Sequence, residues 1–188
     1  YPNGSKHLAA LALLEKESTA NPSLLGQPDF MARCDALKYA ALVVDNPLID
    51  FEKLLMIKRD AGNLGLPQNW QGNSSMKGAS SIKNEIASME IKGKDAAIKT
   101  IFKPAKDGFV GDLELHFDAE KMLFSGIGAN GRWQVFEVKT DGTGLRQVSP
   151  NQPADVDNYD GMYLPDGRII FDCTSTFVGV PCVGGADY

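Results

Sequence analysis

The chain has 188 residues, 43% of them hydrophobic, which is enough for one ordinary core or one large domain with an extension. Nineteen Lys and Arg against 24 Asp and Glu give a formal net charge of -5, and no basic tract is long enough to read as a phosphate-binding stripe, so nucleic acid is not an expected partner. No apolar run is long enough for a membrane-spanning helix, and Cys34, Cys173 and Cys182 are too few for a disulfide scaffold and match no metal-ligand spacing.

The opening Tyr1-Pro2-Asn3-Gly4 has neither a basic n-region nor an initiator Met, as in a mature, trimmed or excised product. Residues 5–17 are expected to be helical, with Ser5 capping the first turn and Leu8, Leu11, Ala12 and Glu15 at helical spacing. Asn21-Pro22 interrupts that pattern. Asp29 is expected to cap a second helix carrying Phe30, Cys34, Leu37 and Ala41, which Asp45-Asn46-Pro47 stops. Short helices with one apolar face each are not stable alone, so residues 1–50 form a helical segment that must lie against something else.

The character changes after residue 50. Residues 51–58 read as a strand, and residues 60–80, with Gly62, Gly65, Gly72 and Gly78, read as a long loop or insertion. From about residue 85 short apolar runs alternate with Gly, Asp and Asn turns, the pattern of antiparallel β-structure. Cys173 and Cys182 flank an expected hairpin, where a disulfide and two free thiols are both open.

A repeat decides the architecture. Lys121-Met122-Leu123-Phe124-Ser125 recurs as Arg168-Ile169-Ile170-Phe171-Asp172, with Phe124 and Phe171 47 positions apart. The same offset relates Glu90-Ile91-Lys92 to Glu137-Val138-Lys139, and Ile98-Lys99-Thr100-Ile101 to Leu145-Arg146-Gln147-Val148. A period of this size carrying several short strands is the signature of propeller blades, each of which needs a neighbour on either side. The expected fold is therefore mainly β: a partial β-propeller of residues 51–188, two blades plus part of a preceding one, behind the helical segment of residues 1–50. That many blades cannot close a ring, so the rest is expected from sequence or chains beyond this one.

The run Leu164-Pro165-Asp166-Gly167-Arg168-Ile169-Ile170-Phe171, together with Trp133 to Ser149 and its Asp141-Gly142-Thr143-Gly144 turn, resembles the TolB-type, WD40-like (PD40) propeller repeat. Leu123-Phe124-Ser125-Gly126 and the acidic Asp155-Asp157-Asp160 stretch also resemble the propeller of the hydrazine synthase alpha subunit. The resemblance covers roughly residues 51–180 and implies a periplasmic or extracellular location. Asp118-Ala119-Glu120-Lys121 departs from the Pro-Asp-Gly-Lys turn, and the sequence has no Cys-x-x-Cys-His haem-attachment motif.

Several residues are candidates for binding. Asp155, Asp157 and Asp160 precede a blade strand where propeller loops converge, and offer oxygen ligands to a cation such as calcium or to a polar ligand; the alternative is an acidic, solvated loop. No other cofactor is expected. His116, beside Glu114 and Phe117, sits on a strand expected to approach the central channel, as a ligand or as a structural histidine; His7 is the blander of the two. Trp70, in a polar loop, has the setting of a carbohydrate-stacking or partner-facing side chain, or of a pin for that loop, whereas Trp133 reads as core. With two histidines and no supporting motif, no nucleophilic triad can be assembled.

The leading functional expectation is a non-enzymatic module that binds a protein or a small polar ligand such as carbohydrate. The alternative is a carbohydrate-active or other hydrolytic or lyase enzyme using Asp112, Asp157 or Asp160, with Trp70 as platform and two carboxylates about 5 to 10 Å apart. A third expectation, a subunit related to hydrazine synthase alpha-like redox proteins, rests on the resemblance and requires haem-bearing sequence elsewhere.

Overall fold

The computed structural model describes residues 1–62, 82–92, 97–106, 108–150 and 156–176. They fall into two compact units: Tyr1–Leu54 with Glu90–Ala97, and Leu55–Met89 with Ile98–Tyr188.

The first unit is helical. Helix α1 spans Gly4–Ala20 and α2 spans Pro28–Tyr39, which runs on into a π-turn over Ala40–Val44. Both starts differ from the sequence expectation. Asn3, not Ser5, precedes α1 and makes no side-chain cap bond. Pro28 opens α2 with Gln27 before it, so Asp29 lies in the first turn, where its charge meets the positive end of the helix dipole. Leu14 and Phe30 are the buried large side chains, and a paired Arg33–Glu17 bridge (2.8 and 2.9 Å) joins the two helices. His7 Nε2 meets Asp45 Oδ2 at 2.8 Å, tying the start of α1 to the end of the π-turn.

The second unit is built from antiparallel sheets. Strands β1 (Lys53–Lys58), β2 (Glu85–Glu90) and β3 (Ile98–Phe102) form the first. The second holds β4 (Val110–Leu115), β5 (Lys121–Ile127), β6 (Trp133–Lys139) and β7 (Arg146–Gln147), and the third β8 (Asn158–Tyr163) and β9 (Ile169–Cys173). The chain is thus mainly β, one complete four-stranded blade between a three-stranded and a two-stranded neighbour among the described residues. The 47-residue offset maps β2 onto β6, β3 onto β7 and β5 onto β9. Most of the stretch read as a long loop lies outside the described residues.

Side-chain alternation explains the stacking. Strand β5 is buried continuously from Met122 to Gly126, although successive side chains of a strand point to opposite faces. Met122 and Phe124 join Ile86, Val110 and Val138, with Leu55, Ile101 and Phe102 of the first sheet packed on them. Leu123 points the other way, into Val135 and Tyr163, with Ile169 and Phe171 of the third sheet against it. The middle sheet is therefore covered on both faces, each fully buried aliphatic or aromatic side chain contributing about 1.5–3 kcal/mol.

A polar tie reinforces the second face. Glu137 on β6, 7% exposed, accepts from Tyr163 Oη on β8 (3.0 Å), from Arg146 Nε (2.7 Å) and from Lys121 Nζ (3.1 Å). Burial pushes its carboxyl pKa up, but these donors outweigh burial and hold it below the ordinary carboxylate range. Tyr163 is pushed well above the usual phenol range, by burial first and then by Glu137.

The β4–β5 and β8–β9 hairpins explain the departure from the Pro-Asp-Gly-Lys turn. Ala119 N–H donates to His116 C=O, as Gly167 N–H does to Leu164 C=O, so Ala119 takes the glycine position, with φ 58 against 84. Glu120 is then one extra residue before Lys121, which matches Arg168. The offset is consequently 48 before the turn and 47 after it. Because an L-residue in the left-handed region is strained, Ala119→Gly is expected to stabilise the protein by about 0.5–1 kcal/mol, a rise in Tm of roughly 1–4 °C in a thermal melt; an unchanged or lower Tm would contradict the assignment.

Candidate functional site

The equivalent first strands, β4 and β8, carry the site. Each loses register against its partner at the same place: between Gly111 and Glu114 in β4, and between Tyr159 and Met162 in β8. In each gap sits an aspartate at positive φ, Asp112 (49) and Asp160 (53), 48 positions apart. Aspartate tolerates this region better than most residues because its short side chain can bond locally. The bulge in β8 is held from beneath: the Asp160 amide donates to Oγ of fully buried Ser125 (3.0 Å). Gly161 follows because a Cβ there would come within 2.6 Å of Val135 Cγ1 on β6.

Around these bulges the charges are mostly negative. Asp172 lies opposite Tyr159 in the β8–β9 register. The Asp160 carboxyl is pushed above the ordinary value, by partial burial first and then by Asp112 and Asp172. The Tyr159 phenol is raised by burial and then by the charges of Asp172, Asp157, Asp112 and Asp160 in turn. A cation on this side is Arg59, whose guanidinium lies 5.3 Å from the Phe109 ring centroid and donates to Asn84 Oδ1 at 3.0 Å. Burial lowers its pKa while Asp112 acts in the opposite direction.

Of the residues singled out by sequence, the described ones, Asp157, Asp160 and His116, are not gathered in one place. Asp160 belongs to this acidic face. Asp157 is 2% exposed and already committed: it accepts from the Trp133 amide (2.9 Å) and from Arg132 Nη1 (3.3 Å), while its own amide donates to Thr174 Oγ1 (2.9 Å). In this structure it fastens β8 to the start of β6. His116 lies just past the far end of β4, four residues and therefore about 13 Å along the chain from Asp112. Its Nδ1 is 2.7 Å from Asp118 Oδ1 and accepts the Asp118 amide at 3.3 Å when unprotonated, and its ring packs edge-on to Tyr163 at 4.6 Å. Trp70, Asp155 and Cys182 lie outside the described residues. Trp133 is core, 1% exposed.

Asp172, Tyr159 and Arg59 were not picked out from the sequence, nor was the equivalence of Asp112 with Asp160. The aspartate pair leaves a signal, the third position of each first strand, but at an offset of 48, hidden by the extra Glu120. Among the described residues no three His, Cys, Asp or Glu side chains group at metal-ligand spacing.

No protein-family model matches the chain. No curated protein matches it either. Among solved structures it is similar to an oligogalacturonate lyase in complex with manganese, at 15% identity and a TM-score of 0.47, over 65% of this chain and 32% of that one. The chain thus spans about a third of that structure's length.

The repulsion around Asp160 has a measurable consequence. A carboxyl whose folded pKa is raised contributes its relative stability below the unfolded value, near 3.8, and loses it as pH rises through the folded value. Asp160→Asn is therefore expected to raise Tm at pH 7 and to lose that advantage as the pH falls below about 4; melts across that range check it, and a variant no more stable than the native chain at pH 7 would contradict the electrostatic reading.

Proposed function

We propose that this chain is a binding module of a TolB-type propeller acting outside the cytoplasm, and that the acidic face of Asp112, Asp160 and Asp172 around Tyr159 receives a cationic or hydroxyl-rich ligand, on a protein or a carbohydrate. The observation that carries the reading is the repeated register break, which presents an aspartate at the same point of two successive blades. Such a face is set by strand geometry and by the Ser125–Asp160 bond, so it is preorganised without depending on loop conformation. Carboxylates kept close at a cost in repulsion are more useful to a ligand of opposite charge than to the fold.

One observation favours a second reading. The raised Asp160 carboxyl beside Asp112 is the kind of pairing in which one acid donates a proton while the other stays ionised. On that reading the chain forms part of a hydrolytic or lyase enzyme acting on carbohydrate.

Titration calorimetry of the full chain with calcium chloride, a tri-lysine peptide and neutral and acidic oligosaccharides separates these. A binding module gives heat with at least one cationic or hydroxyl-rich ligand, and Asp112→Asn with Asp160→Asn weakens it about tenfold or more. Turnover of an oligosaccharide that Asp160→Asn abolishes favours the enzyme. Equal binding by the native chain and the double variant would remove the acidic face from consideration.

A further inference from the structure

A second feature of the second unit shares Phe109, the ring beneath Arg59, with the surroundings of the acidic face. Between the end of β3 and the ends of β5 and β6 lies a cavity of about 540 Å³, within the range of about 300–1,000 Å³ typical of small-molecule sites. Its walls are four phenylalanines, Phe102, Phe109, Phe124 and Phe136, with Leu145 at the side and Lys106 among the lining residues. The rings brace one another: Phe102 and Phe124 lie 4.9 Å apart between centroids, and Phe124 and Phe136 stack at 5.5 Å. Phe109 is held edge-on against buried Trp133 at 4.6 Å. Phe109 and Phe124 are 3% and 2% exposed, so their positions are fixed by packing.

Two local features keep the space open. Gly126 lies where a Cβ would press on Phe124 at 3.3 Å and Phe136 at 3.5 Å, so a side chain there would crowd the two rings of the wall. Ala129 and Ala105, both exposed, present only a methyl group to the opening. Water inside would meet rings and aliphatic carbons, with few hydrogen-bond partners, and is readily displaced by an apolar body. Lys106, which is exposed, is the charged side chain of the lining among the described residues, on a chain whose net charge is -5. A cation beside an aromatic cavity fits a ligand with an apolar body and one negative charge.

We propose that this cavity is a second binding site, taking a small, flat, aromatic molecule that carries a single carboxylate. The half-buried rings of Phe102 and Phe136, with Leu145, receive the aromatic body by edge and face contacts over the buried Phe109 and Phe124, and the Lys106 ammonium meets the carboxylate at the mouth. The apolar lining suits a two-ring body better than a sugar, whose hydroxyls would be left without partners there.

The test uses the full chain with 2-naphthoate and its neutral counterpart 2-naphthol, by titration calorimetry. The native chain is expected to bind 2-naphthoate more tightly than 2-naphthol. Lys106→Glu is expected to weaken 2-naphthoate by about three- to fivefold or more while leaving 2-naphthol within about twofold, as for a solvent-accessible charge pair. Ala129→Trp, which adds a bulky side chain to the lining, is expected to weaken both about tenfold or more, and Ala105→Trp, at another exposed lining residue, does the same if the first variant folds poorly. The proposal fails if the native chain binds neither probe, or if both tryptophan variants, folded by thermal melt, bind as the native chain does. Binding of 2-naphthoate that Lys106→Glu leaves unchanged would overturn the assignment of a carboxylate ligand.

Discussion

The fold depends on one requirement: the middle sheet has no face left for water. Strand β5 places Met122 and Phe124 on one side and Leu123 and Ser125 on the other, all buried. A sheet of this kind cannot exist alone, because half of its apolar surface would be exposed whichever way it turned. The first sheet covers one face through Ile86, Leu55 and Ile101, and the third covers the other through Tyr163, Ile169 and Phe171. Stacked sheets of antiparallel strands follow directly. So does the need for polar groups trapped between them to find partners, which Glu137 and Tyr163 do for each other.

The aspartates of the acidic face stand where the strands lose register. Strand β8 must approach β6 closely, which Gly161 permits, and must lose register to do so. The bulge turns Asp160 out and hands its amide to Ser125, a buried hydroxyl that would otherwise lack a use. The same break in β4 turns out Asp112. Two aspartates thus stand at matching points because two blades solve the same packing problem in the same way. The aromatic cavity arises differently, beside the end of β3 and strands β5 and β6, where a side chain at Gly126 would crowd Phe124 and Phe136.

Much of this architecture was legible in the sequence, for a physical reason. Blade strands alternate and their turns demand particular residues, so Lys121-Met122-Leu123-Phe124 and Arg168-Ile169-Ile170-Phe171 record one structural unit written twice. The helix starts were less legible. Ser5 and Asp29 are good caps by residue type, yet the backbone begins each helix one or two residues earlier, at Gly4 and Pro28. Residue type alone does not say where the first turn closes. The candidate site was half legible. Asp160 was found as a carboxylate near a strand, but Asp157, two positions past Asp155 in the same acidic run, is spent on the Trp133 amide, a long-range bond that spacing does not reveal. Asp172 and Arg59 were invisible because they reach the face from other strands or from a strand end.

The most direct test of two-sided burial uses two adjacent residues, Met122 and Leu123, both 0% exposed and pointing to opposite faces of β5. Chemical denaturation of Met122→Ala and Leu123→Ala, each against the native chain, gives the cost of a cavity on either side. If both faces are covered by neighbouring sheets, each variant loses about 2–5 kcal/mol. A loss below about 0.5 kcal/mol in either one, the size of a surface change, would mean that one face of the middle sheet is not covered and that the stacked-blade fold is wrong.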